Sequence, residues 1–181
     1  MNFKARYLYG LCDIEDIGRC IESWNGLAER NVSLVSYLGL TADEYSSYLQ
    51  NGPEELKLLL NAQRQQRCFR IYQLNFDTEP TIPFAFMGLE AMYKAGFQQP
   101  PAAKYRMVCE SSMYAPLEKT DGQILDRIYT KYNTPVEDFQ GRCLAASDVI
   151  ELYDEEQRLY FYREPDAYTP VRFSPAFAKP M

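Results

Sequence analysis

The apolar positions of the first sixty residues recur at helical spacing. Ile14, Ile17, Ile21 and Trp24 fall on one face, with Glu15, Asp16, Arg19 and Glu22 filling the other, which predicts a helix over 14–24. Asp13 is placed to cap it and Asn25-Gly26 to end it. Ser33 to Leu60 then reads as a string of short helices. Leu34, Val35 and Leu38 lead to a break at Gly39. Thr41 caps the next helix, with Glu44 three residues on as in a capping box, and Tyr45, Tyr48 and Leu49 form its apolar stripe. Asn51-Gly52 turns the chain, Pro53 opens a third helix, and Leu56, Leu59 and Leu60 pack it.

After residue 63 the period changes. Gln63 to Arg70, with Arg64, Arg67 and Arg70, reads as a helix end or linker, and Phe69 to Asn75 alternates as a strand. Pro80 and Pro83 mark a loop, Phe84 to Gly96 a helix, and Gln98 to Ala103 a Pro-rich connection. Lys104 to Glu110 reads as a second strand, followed by a loop over 111–120. Thr120 to Tyr132 is amphipathic, with Ile124, Leu125, Ile128, Tyr129 and Tyr132 on one face and a Thr120/Gln123 capping box. Asp148 to Tyr153 and Gln157 to Arg163 are strands joined by Asp154-Glu155-Glu156, a hairpin, and Ala167 to Phe173 adds a last short strand. The expected fold is α+β: a helical module over 1–66, then a domain over 67–181 with an antiparallel sheet and helices packed on one face.

Residues 69 to about 173 resemble the YodL-like domain of Gram-positive mobile-element proteins. The resemblance rests on Phe69-Arg70-Ile71-Tyr72-Gln73-Leu74, on Met87-Gly88-Leu89-Glu90 ending at Gly96, and on Tyr105-Arg106-Met107-Val108. Its most specific run is Pro135-Val136-Glu137-Asp138-Phe139-Gln140-Gly141-Arg142, followed by Leu144 and Ser147-Asp148-Val149-Ile150. Physically this run reads as structural. Pro135 stops the preceding helix, Phe139 anchors the loop, Gly141 supplies a positive φ, and Ser147 or Asp148 bonds the loop backbone. The resemblance implies an accessory protein of a phage, plasmid or integrative element. A weaker resemblance, to a phage-repressor helix-turn-helix, covers 33–60. No Lys or Arg occurs from Asn31 to Leu56, and the would-be recognition helix opens Ala42-Asp43-Glu44, where carboxylates would meet phosphate. Direct sequence-specific DNA binding is therefore not expected.

Charge sharpens the picture. The net charge of −6 is distributed as −4 over 1–62, +2 over 63–119 and −4 over 120–181. Such a surface suits a basic protein partner better than free nucleic acid. A hydrophobic content of 46% and a mean hydropathy of −0.41 describe a globular chain. No run of 18 apolar residues occurs, and Lys4 and Arg6 are followed by no apolar stretch, so neither a membrane span nor a secretory leader is expected. Five cysteines without a Cys-x-x-Cys pair read as reduced thiols, consistent with the cytoplasm of a bacterial host. Histidine is absent, which removes imidazole acid–base chemistry and His-based metal sites. No Gly-rich phosphate loop occurs, and no cofactor is expected.

These features lead to an expectation of a non-enzymatic anti-defence protein: one that binds and inhibits a nucleic-acid-guided nuclease, such as a Cas9-type effector with its guide RNA, in the manner of a type II-A anti-CRISPR. The residues expected to meet the partner are Asp154, Glu155 and Glu156 with Tyr153 and Tyr160, and secondarily Glu137 and Asp138. A DNA-binding regulator or plasmid-maintenance factor using the helix-turn-helix-like unit is an alternative, as is a carboxylate–metal nuclease using Glu55-Leu56-Lys57 with Asp43. A homodimer is left open.

Overall fold

The computed structural model describes residues 1–181 apart from Arg30, Thr78, Pro80 and Asp138, so the predicted loop position Pro80 lies outside the described residues. The chain divides into two compact units, 1–66 with 113–119, and 67–112 with 120–181.

In the first unit, helices α1 (Phe3–Leu8), α2 (Asp16–Asn25), α3 (Leu34–Leu38), α4 (Ala42–Asn51) and α5 (Pro53–Asn61) enclose a core of Phe3, Tyr7, Ile14, Ile17, Leu38, Leu40, Leu56 and Leu60. The string of short helices over 33–60 forms as its caps dictate. Ser33 accepts from the Ser36 N–H, and Thr41 with Glu44 makes a complete capping box. Gly39 closes α3 at φ 75°, and a side chain there would also meet Asn2. The sequence reading missed α1, whose cap is Asn2. Leu49 and Leu59 do not pack as predicted: both are exposed, because Tyr45, Tyr48, Leu56 and Leu60 already fill the space their helices share with the core.

Glu44 is a second correction. It does not point outward from a recognition helix. It is buried, it accepts from Lys4 at 2.7 Å and from Gln63 at 2.8 Å, and only Asp43 remains exposed there. Of the two carboxylates, only that of Asp43 would therefore meet phosphate. Burial acts to raise the Glu44 carboxyl, but hydrogen bonds from Lys4, Thr41 and Gln63 outweigh it and hold the group below its usual range.

The sheet has five strands in the order β2-β1-β3-β4-β5: β1 Arg64–Leu74, β2 Tyr105–Pro116, β3 Val149–Tyr153, β4 Arg158–Arg163 and β5 Tyr168–Val171. β1 with β3, β3 with β4, and β4 with β5 are antiparallel. Strand alternation sorts the side chains onto two faces. Phe69, Ile71, Ile150, Leu152 and Phe161 share one face by register. Here helix α7 (Asp121–Tyr132) packs: Tyr132 meets Phe69 edge-on at 6.0 Å, and the Tyr168 hydroxyl donates to the Leu125 carbonyl. Tyr72, Val149 and Tyr162 share the opposite face, in a core with Phe84, Leu89, Met92, Tyr105 and Phe173.

Three boundaries depart from the sequence reading. Residues 64–70 are strand, not linker, because each arginine there finds a partner. Arg64 lies 4.4 Å from the Tyr7 ring centroid and 4.1 Å from that of Tyr114, Arg67 pairs with Asp121 at 2.6 Å, and Arg70 pairs with Glu110 at 2.6 Å. The strand predicted to stop at Glu110 continues to Pro116. The helix predicted over 84–96 shrinks to α6, Leu89–Lys94. Phe86 sits at φ 62°, where its N–H donates to the Ser147 hydroxyl, so no helix can run through it.

Candidate interface on the β3–β4 hairpin

The β3–β4 register places Tyr153 opposite Arg158 and leaves Asp154 to Gln157 as the turn. Asp154 builds this turn. Its N–H donates to the Gln157 carbonyl at 3.1 Å, and its Oδ1 accepts from the backbone N–H groups of Glu156 and Gln157, both at 2.9 Å. Those backbone donors hold its carboxyl below the usual range. Asp154 is thus committed to the loop, and the freely presented acids of the tip are Glu155 and Glu156, both exposed.

Behind the tip stands a charged cluster that sequence reasoning did not find. Glu151 is 0% exposed at the middle of β3. Its Oε2 accepts from the Tyr72 hydroxyl at 2.8 Å and from Arg70 at 3.4 Å, and its Oε1 accepts from Tyr160 and Arg158, each at 3.2 Å. Glu110 completes the group, accepting from Arg70 Nε and Nη2 at 2.9 and 2.6 Å and from the Tyr153 hydroxyl at 2.7 Å. The hydrogen bonds from Arg70 and Tyr153 hold the Glu110 carboxyl below its usual range. The Tyr153 ring has the Arg70 guanidinium 4.5 Å from its centroid and that of Arg158 at 5.5 Å. Tyr153 and Tyr160 are therefore half-buried, with hydroxyls already engaged, and what they can offer a partner is ring surface. Burial and Glu110 push the Tyr153 hydroxyl up to about 12, so it stays protonated as a donor. One sequence signal could have exposed this cluster: an acid between Ile150 and Leu152 in a buried strand requires a partner.

Glu137 is exposed in the loop after α7 and lines a cavity of about 320 Å³ with Glu110, Lys131 and Phe139. Through Glu110, which also holds Tyr153, this cavity adjoins the cluster behind the hairpin. Asp138 lies outside the described residues. Glu55-Leu56-Lys57 stands on helix α5 with Leu56 fully buried, and Lys57 reaches Glu54 at 3.6 Å. Among the described residues no three His, Cys, Asp or Glu side chains are grouped to hold a metal ion. Nor is any helix of the described residues long and apolar enough to cross a membrane.

The motif loop after α7 is tied to the sheet by a second buried carboxylate. Asp148 is 0% exposed, is bound by two nitrogens of Arg142, and accepts from Gln73 at 3.0 Å and from the Ala145 N–H at 2.9 Å. Gln73 also bonds both the N–H and the carbonyl of Arg142. Phe139 anchors the loop as expected, its ring 4.8 Å from that of Tyr132. Gly141 is required for a reason other than the expected one. Its φ is not positive, but an added Cβ would stand 2.6 Å from Gln73 Oε1 and 2.9 Å from both Phe139 and Val108. Gln73 is held by Arg142 and cannot yield, so Gly141→Ala is expected to cost about 1–3 kcal/mol, read as a lower urea midpoint at unchanged slope.

A five-stranded sheet with a long helix on one face, a short-helix segment on the other and a motif loop stitched by a buried Asp defines an α+β domain in which the hairpin tip and its charged cluster form the candidate surface. The family model for the YodL-like domain matches residues 68–173, more than half of the chain, and the protein belongs to that family. No curated protein and no solved structure matches the chain.

Proposed function

We propose that this YodL-like protein is a non-catalytic binding protein that presents its β3–β4 tip to a basic macromolecular partner, and that the partner is a Cas9-type effector approached through the channel that holds nucleic acid. The observation that carries the reading is the tip itself: Glu155 and Glu156 stand exposed beyond a turn locked by Asp154. They are backed by Tyr153, Arg158 and Arg70, residue types that dominate interface energetics. A rigid tip loses little freedom on binding, and two carboxylates at a rim steer a positively charged surface into register. The identity of the effector rests on the acidic surface and on the mobile-element setting that the family resemblance implies. The test is a cleavage assay of a guide-loaded Cas9-type effector with the protein added before target DNA. Loss of cleavage at stoichiometric protein is the expected result. Full cleavage at a large molar excess, with no complex on size-exclusion chromatography, sinks the effector reading.

A further inference from the structure

A groove of about 680 Å³ lies apart from the hairpin, between the end of α6 and strand β5. It is lined by Tyr93, Phe97, Gln98, Gln99, Arg172 and the proline pair Pro101 and Pro170. Its volume falls within the usual range of small-molecule sites, roughly 300–1,000 Å³. The floor is fixed. Gly96, at φ 88°, ends α6, the Phe97 N–H returns to the Met92 carbonyl, and the Phe97 ring meets Phe84 edge-on at 5.5 Å. The rim, in contrast, is uncommitted. Among the described residues, the hydroxyl of Tyr93, the side-chain amides and backbone N–H groups of Gln98 and Gln99, and the guanidinium of Arg172 have no hydrogen-bond or ion-pair partner, although Tyr93 lies close enough to Tyr162 to act on its hydroxyl. The nearby Lys104, 5.8 Å from the Phe97 ring centroid, is neutralised by Glu79, which leaves Arg172 as the cation of the groove.

We infer that this groove is a binding site for a small molecule of the mononucleotide class, a planar base carrying a phosphate. The three kinds of free group match the three parts of such a ligand. Arg172 presents a planar fork of donors to a phosphate. The exposed Tyr93 ring, which lines the same groove as Phe97, offers a stacking surface to a base. The paired Gln98 and Gln99 amides supply donors and acceptors to a base edge. The mostly polar, solvent-open rim suits a hydrophilic ligand rather than a greasy one.

The experiment is isothermal titration of AMP, GMP, CMP and UMP separately into the full chain, with inorganic phosphate as the anion control. At least one mononucleotide is expected to bind with a dissociation constant below about 1 mM, and phosphate at least about tenfold more weakly. Arg172→Ala and, separately, Tyr93→Leu are each expected to weaken that nucleotide about tenfold or more. Both residues are exposed, so circular dichroism should be unchanged, and a Gln98→Ala/Gln99→Ala variant reports on base discrimination if either fails to fold. Absence of heat for all four nucleotides to about 10 mM overturns the inference. So does binding that ignores all three variants, or phosphate binding as tightly as the nucleotides. None of these outcomes bears on the hairpin.

Discussion

Replacing Glu151 by alanine is expected to lower the stability of the protein by about 3–5 kcal/mol, a large share of what holds a domain of this size together. The carboxylate is fully buried and is the common acceptor for Arg70, Arg158, Tyr72 and Tyr160. Alanine leaves the buried Tyr72 hydroxyl without its partner and puts a void beneath Arg70. The partners should not respond alike. The Arg158 side chain is 53% exposed and can turn to water, so Arg158→Ala should cost well under half as much as Glu151→Ala. Urea unfolding followed by far-ultraviolet circular dichroism separates them. Equal losses for the two variants contradict the account of Glu151 as the hub of the cluster.

Asp148→Ala is expected to cost about 3 kcal/mol and to loosen the loop that carries the family motif. Alanine removes the acceptor shared by Arg142, Gln73 and the Ala145 N–H. The same group makes stability depend on pH. Burial pushes the Asp148 carboxyl up to about 6, against the pull of Arg142. A carboxyl whose folded value is raised binds its proton more readily folded than unfolded. Its contribution is therefore greatest below about pH 4, near the unfolded value, and declines as pH rises through about 6. Arg142→Ala takes away the compensating cation and pushes the carboxyl higher still, extending the decline through neutrality. That variant should be measurably more stable at pH 5 than at pH 8, by a larger margin than the parent. A parallel pH profile for parent and variant contradicts this assignment.

The parts of this structure that the sequence announces are those made by residues close together along the chain. Thr41 with Glu44 and Thr120 with Gln123 are reciprocal caps three residues apart, and both form. The turn over 154–157 is equally local. What escaped the sequence depends on partners far away in it. The arginines of 64–70 look like a linker until Tyr114, Asp121 and Glu110 arrive to meet them. Phe86 stops a helix because Ser147, 61 positions later, receives its N–H. Of the candidate interface, the tip was legible as three acids in a turn. That Asp154 holds the turn while Glu155 and Glu156 face outward follows from backbone geometry, which composition does not encode.

The association rate with the proposed Cas9-type effector tests the role of the hairpin most directly. Glu155→Lys/Glu156→Lys keeps Asp154, hence the turn, and reverses only the presented charges. The circular dichroism spectrum should be unchanged and the association rate roughly tenfold slower at low salt, with the difference shrinking as ionic strength rises and screens the rim. Binding kinetics identical to the parent at both low and high salt would contradict that role, and would show that the hairpin is only a turn.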